Sequence, residues 1–170
     1  MQHFDGQYQG AALQAFIRGL GHSQRLVDQI LKDNGLTRID AEQWYDLNTA
    51  RAIYMAIARQ VGDRSLHAVG LKMIESAPFP PEITDVTSVL ASLGAAYHMN
   101  VRGTNIGDIT CTFLDEHSAM VICSTPFPCA LERGIVQGCC KKFGALALIE
   151  HGSDGCRDQG APACTYRVTW

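Results

Sequence analysis

No stretch of this sequence approaches the roughly 20 apolar residues that a membrane-spanning helix requires. Lysine and arginine form no block, and the 14 basic residues are outnumbered by 17 acidic ones, giving a formal charge of −3. A nucleic-acid surface, which needs a basic stripe, is therefore not expected, and neither is a membrane partner. The opening residues Met1-Gln2-His3-Phe4-Asp5 lack the basic and apolar regions of a secretion signal, so the expected location is cytoplasmic. Charged residues are sparse at 18%, but hydrophobic residues reach 46%, which excludes a disordered chain. The chain also lacks a glycine-rich phosphate loop, a His-Glu-x2-His zinc motif and a Gly-x-Ser-x-Gly elbow. No spacing of Ser, His and Asp suggests a triad, and a binding domain is expected ahead of an enzyme.

Cysteine is absent before residue 111. All seven cysteines (Cys111, Cys123, Cys129, Cys139, Cys140, Cys156 and Cys164) lie in the last third of the chain. An even scatter would suggest ordinary core use, whereas clustering points to a site. An odd count without a secretion signal argues against a disulfide framework and for metal or redox chemistry.

The length of 170 residues favours one domain. Leu13, Phe16, Ile17 and Leu20 recur at helical spacing, and Gly19 and Gly21 break the pattern. Ser23 is placed to cap a second helix with Leu26, Val27, Ile30 and Leu31, which Asn34-Gly35 closes. Asp40 is read as the cap of a third, carrying Trp44, Tyr45, Leu47, Tyr54, Ile57 and Val61 to a stop at Gly62-Asp63. A shorter helix follows around Leu66 to Ile74, then a stiff Pro78-Phe79-Pro80-Pro81 loop. Thr84 or Asp85 caps one helix from Val86 through Tyr97.

After Gly103 the period becomes two. Ile109, Cys111 and Phe113 alternate with polar neighbours, Asp115-Glu116-His117 makes a turn, and Met120 to Cys123 returns as the second strand of a hairpin. Residues 131–143 read as helix, 145–149 as a strand, 152–163 as a Gly/Asp/Pro loop and 164–170 as a last strand. The expected fold is α+β, with N-terminal helices packed on a small antiparallel sheet and one helix between strand pairs. Residues 1–35 are read as a helical arm or dimerisation element and 36–170 as the domain proper.

His151-x4-Cys156-x7-Cys164 spans a strand end, a loop and the next strand start. Thiolates and imidazole are what zinc prefers, and Gly152, Gly155, Gly160 and Pro162 let the loop turn around an ion. A Cys156–Cys164 redox pair, or two buried cysteines beside a surface histidine, are the competing readings. Cys139-Cys140 point about 100° apart on a helix, so one is expected in the core and one partly exposed. Lys141 and Lys142 stand ready to lower a thiol pKa. His98, beside Tyr97 and four residues before Arg102, reads as a heme ligand, an effector contact or a helix C-terminal charge. Trp44, Tyr45 and Tyr54, placed on one helix, read as core or as the wall of an aromatic or tetrapyrrole pocket. His67 reads as structural, His3, His22 and His117 as solvated, and Glu132 and Arg133 as unpaired.

The segment Cys129-x4-Gly134-x3-Gly138, a short strand ending at Glu150-His151, and Cys156-x7-Cys164 resembles the 4-vinyl-reductase-type small-molecule-binding domain. That domain also forms the sensor part of phenol-responsive bacterial activators. The resemblance covers residues 105–170. Residues 36–104 are similar, more distantly, to heme–nitric-oxide-binding proteins. It implies an α+β fold, a homodimer and a structural zinc held by Cys129, Cys156 and Cys164. The family's acidic fourth ligand falls on Ser153, leaving His151, Glu150 or Asp154, of which His151 is favoured as a strand-end imidazole.

The implied function is a sensing domain for an apolar aromatic or tetrapyrrole-like ligand, with Trp44, Tyr54, Tyr97 and His98 as pocket candidates. It would signal through a separate downstream protein. The alternatives are a heme-based gas sensor, an accessory factor or enzyme acting on a tetrapyrrole or aromatic substrate, and a thiol-rich interaction module without metal.

Overall fold

The computed structural model describes residues 4–21 and 24–170. The expectations for His3, His22 and Ser23 lie outside the described residues. The chain enters through a strand, β1 (Asp5–Gln9), ahead of the first helix. Helix α1 (Gly10–Gly19) then buries Leu13 and Phe16, and α2 (Gln24–Asp33) buries Val27, Ile30 and Leu31, as their spacing predicts.

The next element corrects the sequence reading. Trp44 and Tyr45 belong to strand β2 (Trp44–Asp46), paired with Gln9 and Tyr8, and do not share a helix with Tyr54. Aromatic residues suit a pleated strand. Asp46, not Asp40, caps the helix: its carboxylate accepts from the Thr49 N–H at 2.9 Å. Asp40 instead makes a local turn, accepting from Glu42 N at 3.0 Å. Helix α3 (Leu47–Ser76) runs on past the expected stop, with a kink at Gly62, whose φ of 73° favours glycine.

Asp85 caps α4 (Val86–Ala91) through a reciprocal pair with Ser88, at 2.7 Å and 3.1 Å. The single helix expected here breaks at Ser92, and α5 (Leu93–Asn100) follows. Strand β3 (Val101–Asn105) returns to β1, giving a three-stranded antiparallel sheet in the order β2-β1-β3. Within the segment read as a helical arm, residues 5–19 and 24–33 supply the middle strand of this sheet and two helices whose apolar faces join the core.

The second sheet follows the predicted pattern. Strands β4 (Ile109–Asp115) and β5 (Ser118–Cys123) form the hairpin. Helix α6 (Cys129–Lys142) comes next, then β6 (Leu148–His151) and β7 (Cys164–Thr169). The antiparallel order is β4-β5-β7-β6, so the last strand is an interior one. Ala119, Val121 and Cys123 face inward opposite Val168, Tyr166 and Cys164. The whole is α+β, and no helix among the described residues is long and apolar enough to cross a membrane.

Two apolar clusters result. One gathers α1, α2, α3 as far as Val69, Tyr97, Phe127 and the first turn of α6. The other fills the space between the four-stranded sheet, α4 and α6. The second half of α3 crosses α6 at near contact of the backbones. A Cβ on Gly134 would lie 2.2 Å from the His67 carbonyl oxygen, and one on Gly70 would lie 2.4 Å from that of Leu131. Lys142 fastens the end of the crossing, donating to the carbonyls of Ile74, Glu75 and Ala77 at 3.0, 3.3 and 2.6 Å. Gly134→Ala is expected to force the helices apart and lower stability by about 2–3 kcal/mol in urea denaturation. An unchanged midpoint would mean that the crossing is not tight.

Candidate functional site

Cys129, His151, Cys156 and Cys164 converge, with their ligand atoms all within 4.8 Å of one another. Each is positioned by a different device. Cys129 is the first residue of α6, held there by Pro126 and Pro128, which keep the approach extended, and by its N–H bond to Asp158 Oδ2 at 3.0 Å. His151 ends β6 and Cys164 opens β7. Cys156 sits between them, just before a short 3-10 turn at Arg157–Gln159.

The donor set fits zinc. The Cys156 and Cys164 sulfurs are 3.7 Å apart, close to the roughly 3.8 Å edge of a tetrahedron with Zn–S bonds of about 2.3 Å. His151 Nδ1 lies 2.7 Å from the Gly152 carbonyl, while its Nε2 is buried without a hydrogen-bond partner. An imidazole that donates through one nitrogen leaves the other lone pair free for a metal. Burial pushes the Cys129 and Cys156 thiols up. Burial also opposes ionisation of Cys164, but the contacts led by the Arg157 N–H at 3.3 Å outweigh it, bringing this thiol down to about 7. Cys164 is thus the readiest thiolate. The Tyr166 hydroxyl also donates to Cys129 Sγ at 3.2 Å.

A cleft of about 400 Å³ opens beside the cluster, where Asp63, Arg133 and Gln159 face Cys129, His151 and Cys156. Beneath it lies a buried network absent from the sequence reading. Arg157 pairs with Glu132, their side chains only 8% and 5% exposed, and also donates to the Thr125 carbonyl. The Thr125 hydroxyl donates to the other Glu132 oxygen. Glu132 thus has a buried ion-pair partner. Its position three residues after Cys129 and that of Arg157 just after Cys156 were the signals available in the sequence.

The remaining candidates separate. Cys139 and Cys140 are both buried, so neither is the exposed partner expected. Burial raises their thiols to about 12 and about 11, and Lys142 offsets the rise at Cys139 only in part. This speaks against reactive thiolates there. Trp44 lies away from the core with the Arg102 guanidinium 4.1 Å from its ring centre. His98 is half-exposed and pairs with Asp108 at 3.0 Å. Tyr97 is buried, its hydroxyl donating to the Ile106 carbonyl.

Tyr54 sits in an aromatic cage. It stacks on Phe16 at 3.9 Å, meets Phe127 at 4.7 Å, and bonds hydroxyl to hydroxyl with Tyr8 at 2.8 Å. Burial raises both phenols, Tyr8 to about 12.

No family model matches the chain, and no curated protein matches it in sequence. Solved structures do match in fold. An oxygen-binding H-NOX domain related to soluble guanylate cyclases, in its oxygen complex, is 17% identical, with 95% of this chain and 94% of that one covered at a TM-score of 0.71. A point variant of the T. tengcongensis H-NOX is 17% identical over 95% of this chain and 96% of that one, with a TM-score of 0.73. An H-NOX protein from S. oneidensis in its Fe(II)NO state is 15% identical over 94% and 97%, with a TM-score of 0.71. At these identities the likeness is one of fold.

Cys156→Ser and Cys164→Ser are each expected to lower zinc content and thermal stability together, as read by metal analysis and thermal melts. Full zinc retention in both variants would remove the assigned site. Glu132 carries its own pH dependence. Burial, partly offset by Arg157 and Thr125, raises its carboxyl from 4.5 to about 7. Folding thus favours the protonated form, and its contribution is full below about pH 4 and lost as the pH rises through about 7. Glu132→Gln is expected to remove that loss, measured as stability against pH in the metal-free protein.

Proposed function

We propose that this chain is a small-molecule-sensing domain whose ligand seats in the aromatic cage, with a structural zinc at Cys129, His151, Cys156 and Cys164. The observation that carries the reading is the pairing of a caged, apolar, aromatic core with a separate thiolate–imidazole cluster on an H-NOX-like fold. Stacked rings favour a flat apolar ligand, and the Tyr8–Tyr54 hydroxyl pair offers it one polar anchor. Tyr54 and Tyr97 remain pocket candidates, while Trp44 and His98 stand outside the cage. A homodimer and a separate downstream partner belong to this reading.

Heme is the flat ring system that the fold comparisons favour, since two of the matched structures are described by their heme distortion, one of them within the H-NOX family. Bound heme would supply an iron centre for a diatomic gas. None of the histidines among the described residues is buried. The donors that this core does offer are the Tyr8, Tyr54 and Tyr97 hydroxyls, and tyrosine serves as an iron ligand in other heme proteins. The absence of a buried imidazole among the described residues favours a second reading, an iron-free aromatic or tetrapyrrole ligand. That reading agrees with the 4-vinyl-reductase-type resemblance of residues 105–170.

Metal analysis with an absorption spectrum, followed by thermal melts with hemin and with metal-free protoporphyrin, tests both. About one zinc per chain is expected, and at least one of the two rings should raise the melting temperature. A ligand at 100 times its Kd adds about 2.7 kcal/mol. A Soret band in the purified protein, or a saturable shift of hemin's own Soret band on titration with the protein, selects the gas sensor. Stabilisation by protoporphyrin alone selects the iron-free reading. No shift with either ring, nor with simple phenols, would sink the sensing role.

A further inference from the structure

Residues 125–129 run directly from the aromatic cage to the metal cluster. The Phe127 ring lies 4.7 Å from that of Tyr54, 4.9 Å from Tyr8 and 6.4 Å from Tyr97, which makes it the one wall of the cage supplied by a loop. Two residues later comes Cys129. Pro126 and Pro128 fix their own φ angles and restrict the residues before them, so the link has little slack.

The polar groups of this link are held by the metal loop and by α6. Arg157 donates to the Thr125 carbonyl, and the Asp158 carboxylate accepts from Cys129 N at 3.0 Å. The Thr125 hydroxyl accepts from Phe127 N at 3.3 Å and donates to Glu132. Arg157 and Asp158 both lie between the ligands Cys156 and Cys164.

We infer that metal occupancy sets the seating of Phe127 and thereby access to the aromatic cage: a filled site holds the plug in, and an emptied site releases it. The inference rests on the cluster being a metal site and on the cage being the ligand seat. The physical ground is the ordering of the 152–163 loop. Gly152, Gly155 and Gly160 make it conformationally free, and four bonds to one ion would remove that freedom. Without the ion, Arg157 and Asp158 are carried by an unconstrained loop, and their grip on Thr125 and Cys129 weakens. The coupling is reciprocal: a ligand that displaces Phe127 must lower metal affinity by the factor by which metal lowers ligand affinity.

Hydrogen–deuterium exchange with mass spectrometry, on the full chain with zinc loaded and after chelation, tests the coupling. Zinc content is measured on the same samples. Exchange in residues 47–61, which carry Tyr54, is expected to rise at least tenfold on chelation, while residues 66–76 change less. Phe127→Leu should keep its zinc, show the fast exchange at 47–61 already when loaded, and respond little to chelation. The double variant Glu132→Gln/Arg157→Gln, which leaves all four ligands in place, should behave in the same way. A chain without zinc overturns the metal reading, and the coupling with it. Zinc binding with an unresponsive 47–61 segment overturns the coupling alone. Equal acceleration in every segment also overturns it, because it shows global unfolding and no dedicated route.

Discussion

The ion pair between Arg157 and Glu132 is the constraint around which the C-terminal half is arranged. Both side chains are taken out of water, and burying two charges is favourable only when each finds its partners. Here the guanidinium meets a carboxylate and a backbone carbonyl, and the second carboxylate oxygen meets the Thr125 hydroxyl. Removing one member of such a pair typically costs about 3–5 kcal/mol, since the other charge is left uncompensated. The pair pins a glycine-rich loop to the first turns of α6. His151, Cys156 and Cys164 meet Cys129 there, with the four side-chain donor atoms within 4.8 Å of one another.

The molecule has two cores of unlike chemistry. The first is aromatic, with tyrosine hydroxyls that satisfy one another or a backbone carbonyl. The second is aliphatic and rich in thiols, with the four-stranded sheet on one side of α6 and the second half of α3 crossing it. The coverage of α6 explains why Cys139 and Cys140 are both buried, although neighbouring helix positions diverge. The likeness to H-NOX structures spans both cores, so the cage and the cluster belong to one fold.

Legibility in the sequence followed the strength of each local signal. The hairpin at 109–123 and the stripes of α1 and α2 were plain, because alternation and helical spacing report burial on one face. The first sheet was not legible. Strand β2 has three residues, and β3 is exposed from Arg102 to Asn105, so neither shows an apolar period. The helix start was misplaced because Asp40 and Asp46 are equally good caps in isolation, and only the pairing of Trp44 with Gln9 separates them. The candidate donors His151, Cys156 and Cys164 could be read from spacing, and Cys129 followed from a resemblance. The Arg157–Glu132 pair left only a weak trace, the closeness of each member to a cysteine of the cluster, since the two are brought together by tertiary structure.

The order β4-β5-β7-β6 has a consequence for synthesis. The strand made last is inserted between two made earlier, so β5 and β6 meet only through it. During translation the N-terminal helices and the first sheet can collapse as soon as β3 emerges. The hairpin must wait with one edge of β5 unpaired. Exposed strand edges of this kind invite pairing with other chains. The nascent chain therefore passes its most aggregation-prone moment just before Cys164–Thr169 arrives, and the segment that completes the Cys/His cluster also ends that exposure.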